Sequence, residues 1–173
     1  RALGGRATAI GGASGLVAGL VAITPAAGFV NATSSVLIGL IAGVGCYLAI
    51  NLKHKLGYDD ALDVVGIHGV GGLLGAVLTG VFADPTINAA VTGPALEAGR
   101  GALIGKQLAA VGAVAVFVLI ATIILAKVIN AISPMRVPEE VEETGLDHVI
   151  HGESGYGLET PINGHAKEPA GAH

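Results

Sequence analysis

ATAIGGASGLVAGLVAITPAAGFVNATSSVLIGLIAGVGCYLAINL, residues 7–52, contains no Lys, Arg, Asp or Glu. A membrane-spanning helix needs roughly 20 apolar residues, so this uncharged run is long enough for two. The Thr24-Pro25 pair and the small polar stretch Phe29-Val30-Asn31-Ala32-Thr33-Ser34-Ser35 are its only punctuation, and such residues suit a tight turn at a membrane surface. The pattern predicts spans at about 9–30 and 35–52. Arg6 followed by an apolar run also has the look of a secretory signal peptide, but the run continues far beyond the roughly 7–15 residues of such a segment.

Outward from this stretch, Ala61–Ala83 is apolar apart from Asp63 and His68, and Gln107–Ala126 carries no charge. They predict a third span at 61–83 and a fourth at about 105–133. Residues 1–135 are therefore read as an all-α integral membrane region of four transmembrane helices. Residues 136–173 hold eight acidic and two basic residues with almost no apolar run, which predicts a mostly irregular, solvated tail with a disordered end from Pro161 to His173. Arg1 at the start and Met135 as the sole methionine lead to the expectation that the chain is the back part of a longer protein.

Composition supports the membrane reading. Apolar residues make up 52% of the 173, glycines number 28, and only 13% are charged, against about 25% charged in soluble domains. Too little polar side chain is available to cover a water-soluble globule, and the chain is too apolar for disorder. One cysteine, Cys46, excludes a disulfide framework and a cysteine-based zinc site within one chain. A net charge of -4 provides no basic field for nucleic acid.

Four spans put both ends on one side, together with the Lys53-His54-Lys55 loop. Basic residues then divide seven (Arg1, Arg6, Lys53, Lys55, Lys127, Arg136, Lys167) to two (Arg100, Lys106), and the positive-inside rule places the ends in the cytoplasm. Gly11, Gly15 and Gly19, Gly39 and Gly43, and Gly71 and Gly75 recur at i, i+4. Such small faces are expected to let helices approach closely in lipid, where no hydrophobic effect drives them together.

His68 lies within the third span, and an ionisable residue there is a functional candidate by default. Ala61, Val64, Gly71, Gly72, Gly75 and Thr79 share its helical face, leaving space beside the ring. An imidazole in such an apolar wall is expected neutral, with one donor and one acceptor, suited to a small polar solute or a proton. The alternative is a histidine that only hydrogen-bonds a neighbouring helix. Asp63, five residues earlier, falls about 140° away and should not pair with it. Asp59, Asp60 and Asp63 suit a helix start; Asp63 is read either as a cap or as a shaper of a pathway mouth that steadies a neighbouring span. Thr24-Pro25 predicts a kink within the first span, or a break exposing backbone.

His148-Val149-Ile150-His151 with Glu153, and the further His54, His165 and His173, form only a loose metal-ligand pattern, and no metal is expected. The glycines after His68 lack G-x-G-x-x-G, because Leu74 stands at the third glycine, so no dinucleotide site and no cofactor are expected. No nucleophile and base stand at a catalytic spacing, and no enzyme activity is expected.

Three stretches resemble the ammonium transporters of the Amt/Mep/Rh superfamily. They are Gly15–Gly28; the run from Asp59 through Asp60, Asp63, Val64, Gly66, His68, Gly69 and Gly71-Gly72 to Thr79-Gly80-Val81-Phe82-Ala83; and Arg136-Val137-Pro138-Glu139-Glu140 with Gly145-Leu146-Asp147 and His151-Gly152-Glu153. The likeness extends from Gly4 to about Tyr156. It implies an eleven-helix fold with two inverted five-helix repeats, assembled as a homotrimer with one pore per subunit, of which this chain would hold spans eight to eleven.

By the same resemblance, ammonium or ammonia crosses the plasma membrane through a hydrophobic pore lined by two histidines. His68 would be one of them, with Val64 beside it and Asp63 near the cytoplasmic mouth; Thr24 and Gly72 are read, with Asp63, as pore-mouth and helix-packing support. The partner histidine would lie in spans absent here, so the segment alone should not conduct. Gly145, Leu146, Asp147, His151, Gly152, Glu153 and Tyr156 would belong to a regulatory tail of the kind that docks PII-type signal proteins; Gly155 replaces the family's usual alanine, and residues from Leu158 onward match nothing. An ammonium sensor of the same fold, signalling through the tail, is the alternative.

Overall fold

The computed structural model describes residues 8–91 and 99–153. Tyr156, Gly155 and the tail end from Pro161 lie outside the described residues, as do Arg1 and Arg6. Among the described residues every regular element is helical: α1 Ala9–Ile23, α2 Ala32–Leu56, α3 Val70–Phe82, α4 Arg100–Ile132 and α5 Glu139–Thr144. Four helices are long and apolar enough to cross a membrane: α1 with its 3₁₀ extension, α2, α3 with the turn before it, and α4. The chain divides into two compact units, Arg1–Ile120 and Ala121–His173.

Local chemistry sets the helix ends. The Thr8 hydroxyl accepts the Gly11 N–H at 3.0 Å and starts α1. Thr24 donates its hydroxyl to the Leu20 carbonyl at 2.7 Å, and Pro25, lacking an N–H, converts the chain to a 3₁₀ turn over Thr24–Ala26. Thr24-Pro25 thus ends α1 instead of kinking a span that runs to residue 30. Asn31 caps α2 by accepting the Ser34 N–H at 2.9 Å, so the helix begins at Ala32, inside the polar stretch and before the expected start at 35. Gly57, at φ +68°, closes α2 with a bond to the Lys53 carbonyl, a left-handed cap suited to glycine. The 33 residues of α4 extend about 50 Å, longer than a bilayer core of roughly 30 Å.

Within the first unit, α1, α2 and α3 pack on one another. The seam joins Ala18, Ala22 and Ala26 of the α1 segment to Ile38, Ala42 and Cys46 of α2, all buried. Both rows recur at i, i+4, i+8, the spacing of ridges that interlock between helices. On α3, a Cβ at Gly71 would touch Cys46 Sγ at 3.2 Å and Val21 at 3.3 Å, and one at Gly75 would run into the Ala22 backbone.

Within this chain the close approach expected of the three sets is made at Gly71 and Gly75. Gly15, Gly19, Gly39 and Gly43 have nothing within 4 Å of a Cβ, and Gly11 meets only Thr8 of its own helix. Alanines, still small but able to make van der Waals contact of their own, form the α1 side of the seam. No residue of α4 is buried, and Phe117, Leu119 and Ile120 present apolar surface.

In the second unit, α5 ends at Gly145, φ +104°, and a π-helical turn follows over Asp147–His151, ending at Gly152, φ +64°. Both glycines hold conformations that side chains disfavour. The tail thus has short helical segments in its described part.

Candidate functional site

Three aspartates lie at the start of the third span, and Asp60 and Asp63 among them have different surroundings. The Asp60 carboxylate accepts the Val64 N–H at 2.8 Å and the Val65 N–H at 2.9 Å, so Asp60 is the residue that caps this helix. Asp63 does not take that role: its carboxylate pairs with the Lys53 ammonium at the end of α2. No hydrogen bond links Asp63 to His68. Asp63 is the one described non-glycine residue with positive φ, +55°, a conformation costing about 1–3 kcal/mol where the surroundings must enforce it and one that aspartate tolerates better than most residues.

Directly after this turn, Val65–Gly69 form a π-helical turn that carries His68 and continues into α3. Single π turns insert one residue into an α-helix and displace the side chains on either side of it. The six-residue face expected around His68 is accordingly split. Gly71, Gly75 and Thr79 are buried, whereas His68 and Gly72 border open space.

Two clefts meet at His68. One, of about 600 Å³, lies between α3 and α4 and is bordered by His68, Gly72, Ala76, Gln107, Val111 and Val114. The other, of about 440 Å³, is lined by Val21, Thr24, Pro25, His68 and Gly72. A Cβ on Gly72 would meet nothing within 4 Å, so Gly72 widens the space beside the ring, and close helix contact falls on Gly71 and Gly75. Val64, one α-helical turn before His68 in sequence, is 49% exposed. Asp63 borders a third cleft, of about 380 Å³, with Ser14, Gly15, Tyr47 and Ile67. The structure therefore joins His68, Gly72 and Thr24 at one cleft and places Asp63 at another.

Two groups escaped the sequence reading. Gln107 is an amide at the head of a mostly apolar segment, and lines the large cleft opposite His68; its polarity at the start of the uncharged run 107–126 was the available signal. At the other end of the bundle, Asp84 ties two loops together. Its carboxylate accepts from the Thr86 hydroxyl at 2.7 Å, the Thr86 N–H at 2.8 Å and the Asn31 amide at 3.4 Å, and its N–H donates to the Phe29 carbonyl at 2.8 Å. The Thr86 hydroxyl and N–H, with Asn31 and nearby Arg100, hold the Asp84 carboxyl below the usual carboxylate range. Arg100 donates to the Ala83 carbonyl at 2.5 Å, and Asn88 to the Gly28 carbonyl at 3.1 Å.

In the tail, Gly145 and Gly152 bound the turn over Asp147–His151, with the Glu153 N–H on the Asp147 carbonyl at 2.9 Å; Leu146 is 45% exposed. Among the described residues no group of three or more His, Cys, Asp or Glu is arranged to hold a metal ion.

An all-helical, multi-span membrane protein with an imidazole at the junction of apolar clefts is the class that this architecture defines. The sequence profile of the Ammonium Transporter Family matches residues 1–156. The chain is 47% identical over 150 residues to an ammonium transporter of Bacillus subtilis (strain 168), covering 86% of this chain and 37% of that protein. It is 50% identical over 155 residues to an ammonium transporter of Aquifex aeolicus (strain VF5), covering 89% and 36%. The crystal structure of Saccharomyces cerevisiae Mep2 is similar with a TM-score of 0.68 at 42% identity, over 80% of this chain and 32% of that one. This chain belongs to the ammonium transporter family, and it spans little more than a third of the length of these curated relatives.

Proposed function

We propose that this chain supplies spans eight to eleven of an ammonium transporter and that His68 lines its conduction path. The observation that carries the reading is the position of His68, on a π turn where two clefts with mainly apolar walls meet beside Gly72. Family membership supports ammonium as the substrate. A bare cation in such walls is costly, so ammonium gives up its proton to water at the outer side and ammonia passes along the imidazoles. A neutral ring offers one donor and one acceptor to a solute that itself donates and accepts. Val64 narrows the path beside His68, and Asp63 stands near the cytoplasmic mouth where a proton returns. The protein acts as a transporter and not as an enzyme, and it needs no cofactor.

In this reading the transporter is a plasma-membrane homotrimer with the ends of this segment in the cytoplasm. Gly145, Leu146, Asp147, His151, Gly152, Glu153 and Tyr156 belong to the part of the tail that meets a PII-type signal protein. The complete transporter carrying this segment, reconstituted in liposomes, tests the reading. His68→Ala is expected to lower ammonium-driven flux or to change its selectivity, while the assembled oligomer elutes as before. Flux and selectivity equal to those of the parent would remove His68 from the path. Ammonium binding with almost no flux in the parent itself would favour the sensor.

A further inference from the structure

We infer that Lys53 is a positioning residue for His68, setting the rotational phase of the turn that carries the imidazole; the inference rests on the pore role proposed above. The Lys53 ammonium donates to the Asp60 carbonyl at 2.7 Å and pairs with the Asp63 carboxylate. The same Asp60 carbonyl accepts the Asp63 N–H at 3.1 Å. Lys53, its side chain only 14% exposed, thus holds both ends of one tight turn, with Asp63 at φ +55°. The Asp60 carboxylate caps Val64 and Val65 from the same turn, and the Asp63 carbonyl accepts the Ile67 N–H at 2.8 Å. Together these contacts define where the helix begins.

Downstream, a second anchor holds the helix independently: Gly71 against Cys46 and Val21, and Gly75 against the Ala22 backbone. The π turn Val65–Gly69 lies between the two anchors and takes up the extra residue, with Gly66 close against Ile50 and Ile67 buried beside Cys46, so that the exposed side of the turn carries His68. His68 sits in that turn, so its direction depends on both. One residue of slip at the first anchor rotates the turn by about 100°, carrying the ring off the side it shares with Gly72. α3 alone therefore does not determine where His68 points. Lys53 is the charged side chain of α2 that grips the first anchor.

The complete transporter in liposomes, with histidine labelled by ¹⁵N, provides the test. The ring signal of His68 is the one missing from His68→Ala. Lys53→Met is expected to lower the maximal flux roughly ten- to a hundredfold, a misplacement of about 1 Å in a site costing up to about a hundredfold, with little change in the half-saturating ammonium concentration. It is also expected to displace the His68 ring signal, and Lys53→Arg is expected to restore both. Should Lys53→Met fail to assemble, Lys53→Gln, a neutral donor, is judged by the same two readouts. Assembled Lys53 variants with the His68 signal in place would overturn the inference, whether flux falls or not, because the effect would then not act through the ring. Parent-level flux in His68→Ala would instead overturn the pore reading, while the ring signal still decides whether Lys53 sets its position.

Discussion

Gly72 and Gly75 lie three residues apart on α3 and meet opposite surroundings. A Cβ at position 75 collides with the Ala22 backbone, which cannot swing aside, whereas position 72 faces open cleft beside His68. Gly75→Ala is therefore expected to destabilise the bundle by about 1–3 kcal/mol, read as a lower melting temperature of the detergent-solubilised transporter. Gly72→Ala should leave that temperature nearly unchanged. In the sequence both are glycines on the side of His68, and the i, i+4 rule marks Gly71 and Gly75 without saying which partner they meet. Asp60 and Asp63 teach the same lesson. Helix-start chemistry is legible in the Asp59-Asp60-Asp63 cluster, but the assignment of the cap to Asp60 and of the ion pair to Asp63 depends on where Lys53 arrives from α2.

At the scale of elements, hydropathy alone located the four apolar helices, because the preference for lipid is a sum over neighbouring residues. Their ends depend on single atoms. Asn31 caps α2 and also donates to Asp84, so Asn31→Ala should cost about 1 kcal/mol for the lost cap. Asn31→Ser, which keeps a capping oxygen, should recover most of it, measured by unfolding in detergent; equal losses in both variants would show that the cap is not what matters. The π turn around His68 left no mark in the sequence. An inserted residue in a helix is enforced by the packing at its two ends, and periodicity arguments assume that it is absent.

Across the first unit, the two loops at the Asp84 end are joined by side chains 53 positions apart in sequence, Asn31 and Asp84. The Asp84 carboxyl is held below the usual carboxylate range in the folded protein, so it binds a proton more readily when unfolded. Its stabilisation is full above the ordinary carboxylate value, about 3.9, and is lost as pH falls from there through the lower folded value. The protection of the Thr86 amide against hydrogen exchange, taken relative to the unfolded-chain rate at each pH, should fall over that acidic window. Asp84→Asn should remove this acid dependence, and an unchanged profile in that variant would assign it to other groups.

Fold class, the number of apolar helices and the prominence of His68 were determined by the sequence itself, since each rests on local composition: an uncharged run, a polar residue inside it, or three ordered motifs. The tertiary structure alone decided that alanines form the α1 side of the seam, that Lys53 grips the turn before His68, and that His68 and Gly72 share a cleft while Gly71 and Gly75 do not. Those outcomes depend on which helical faces meet and at what phase. In a chain where nearly every face is apolar, amphipathicity provides no direction, and only the close fit of small residues between helices selects one arrangement.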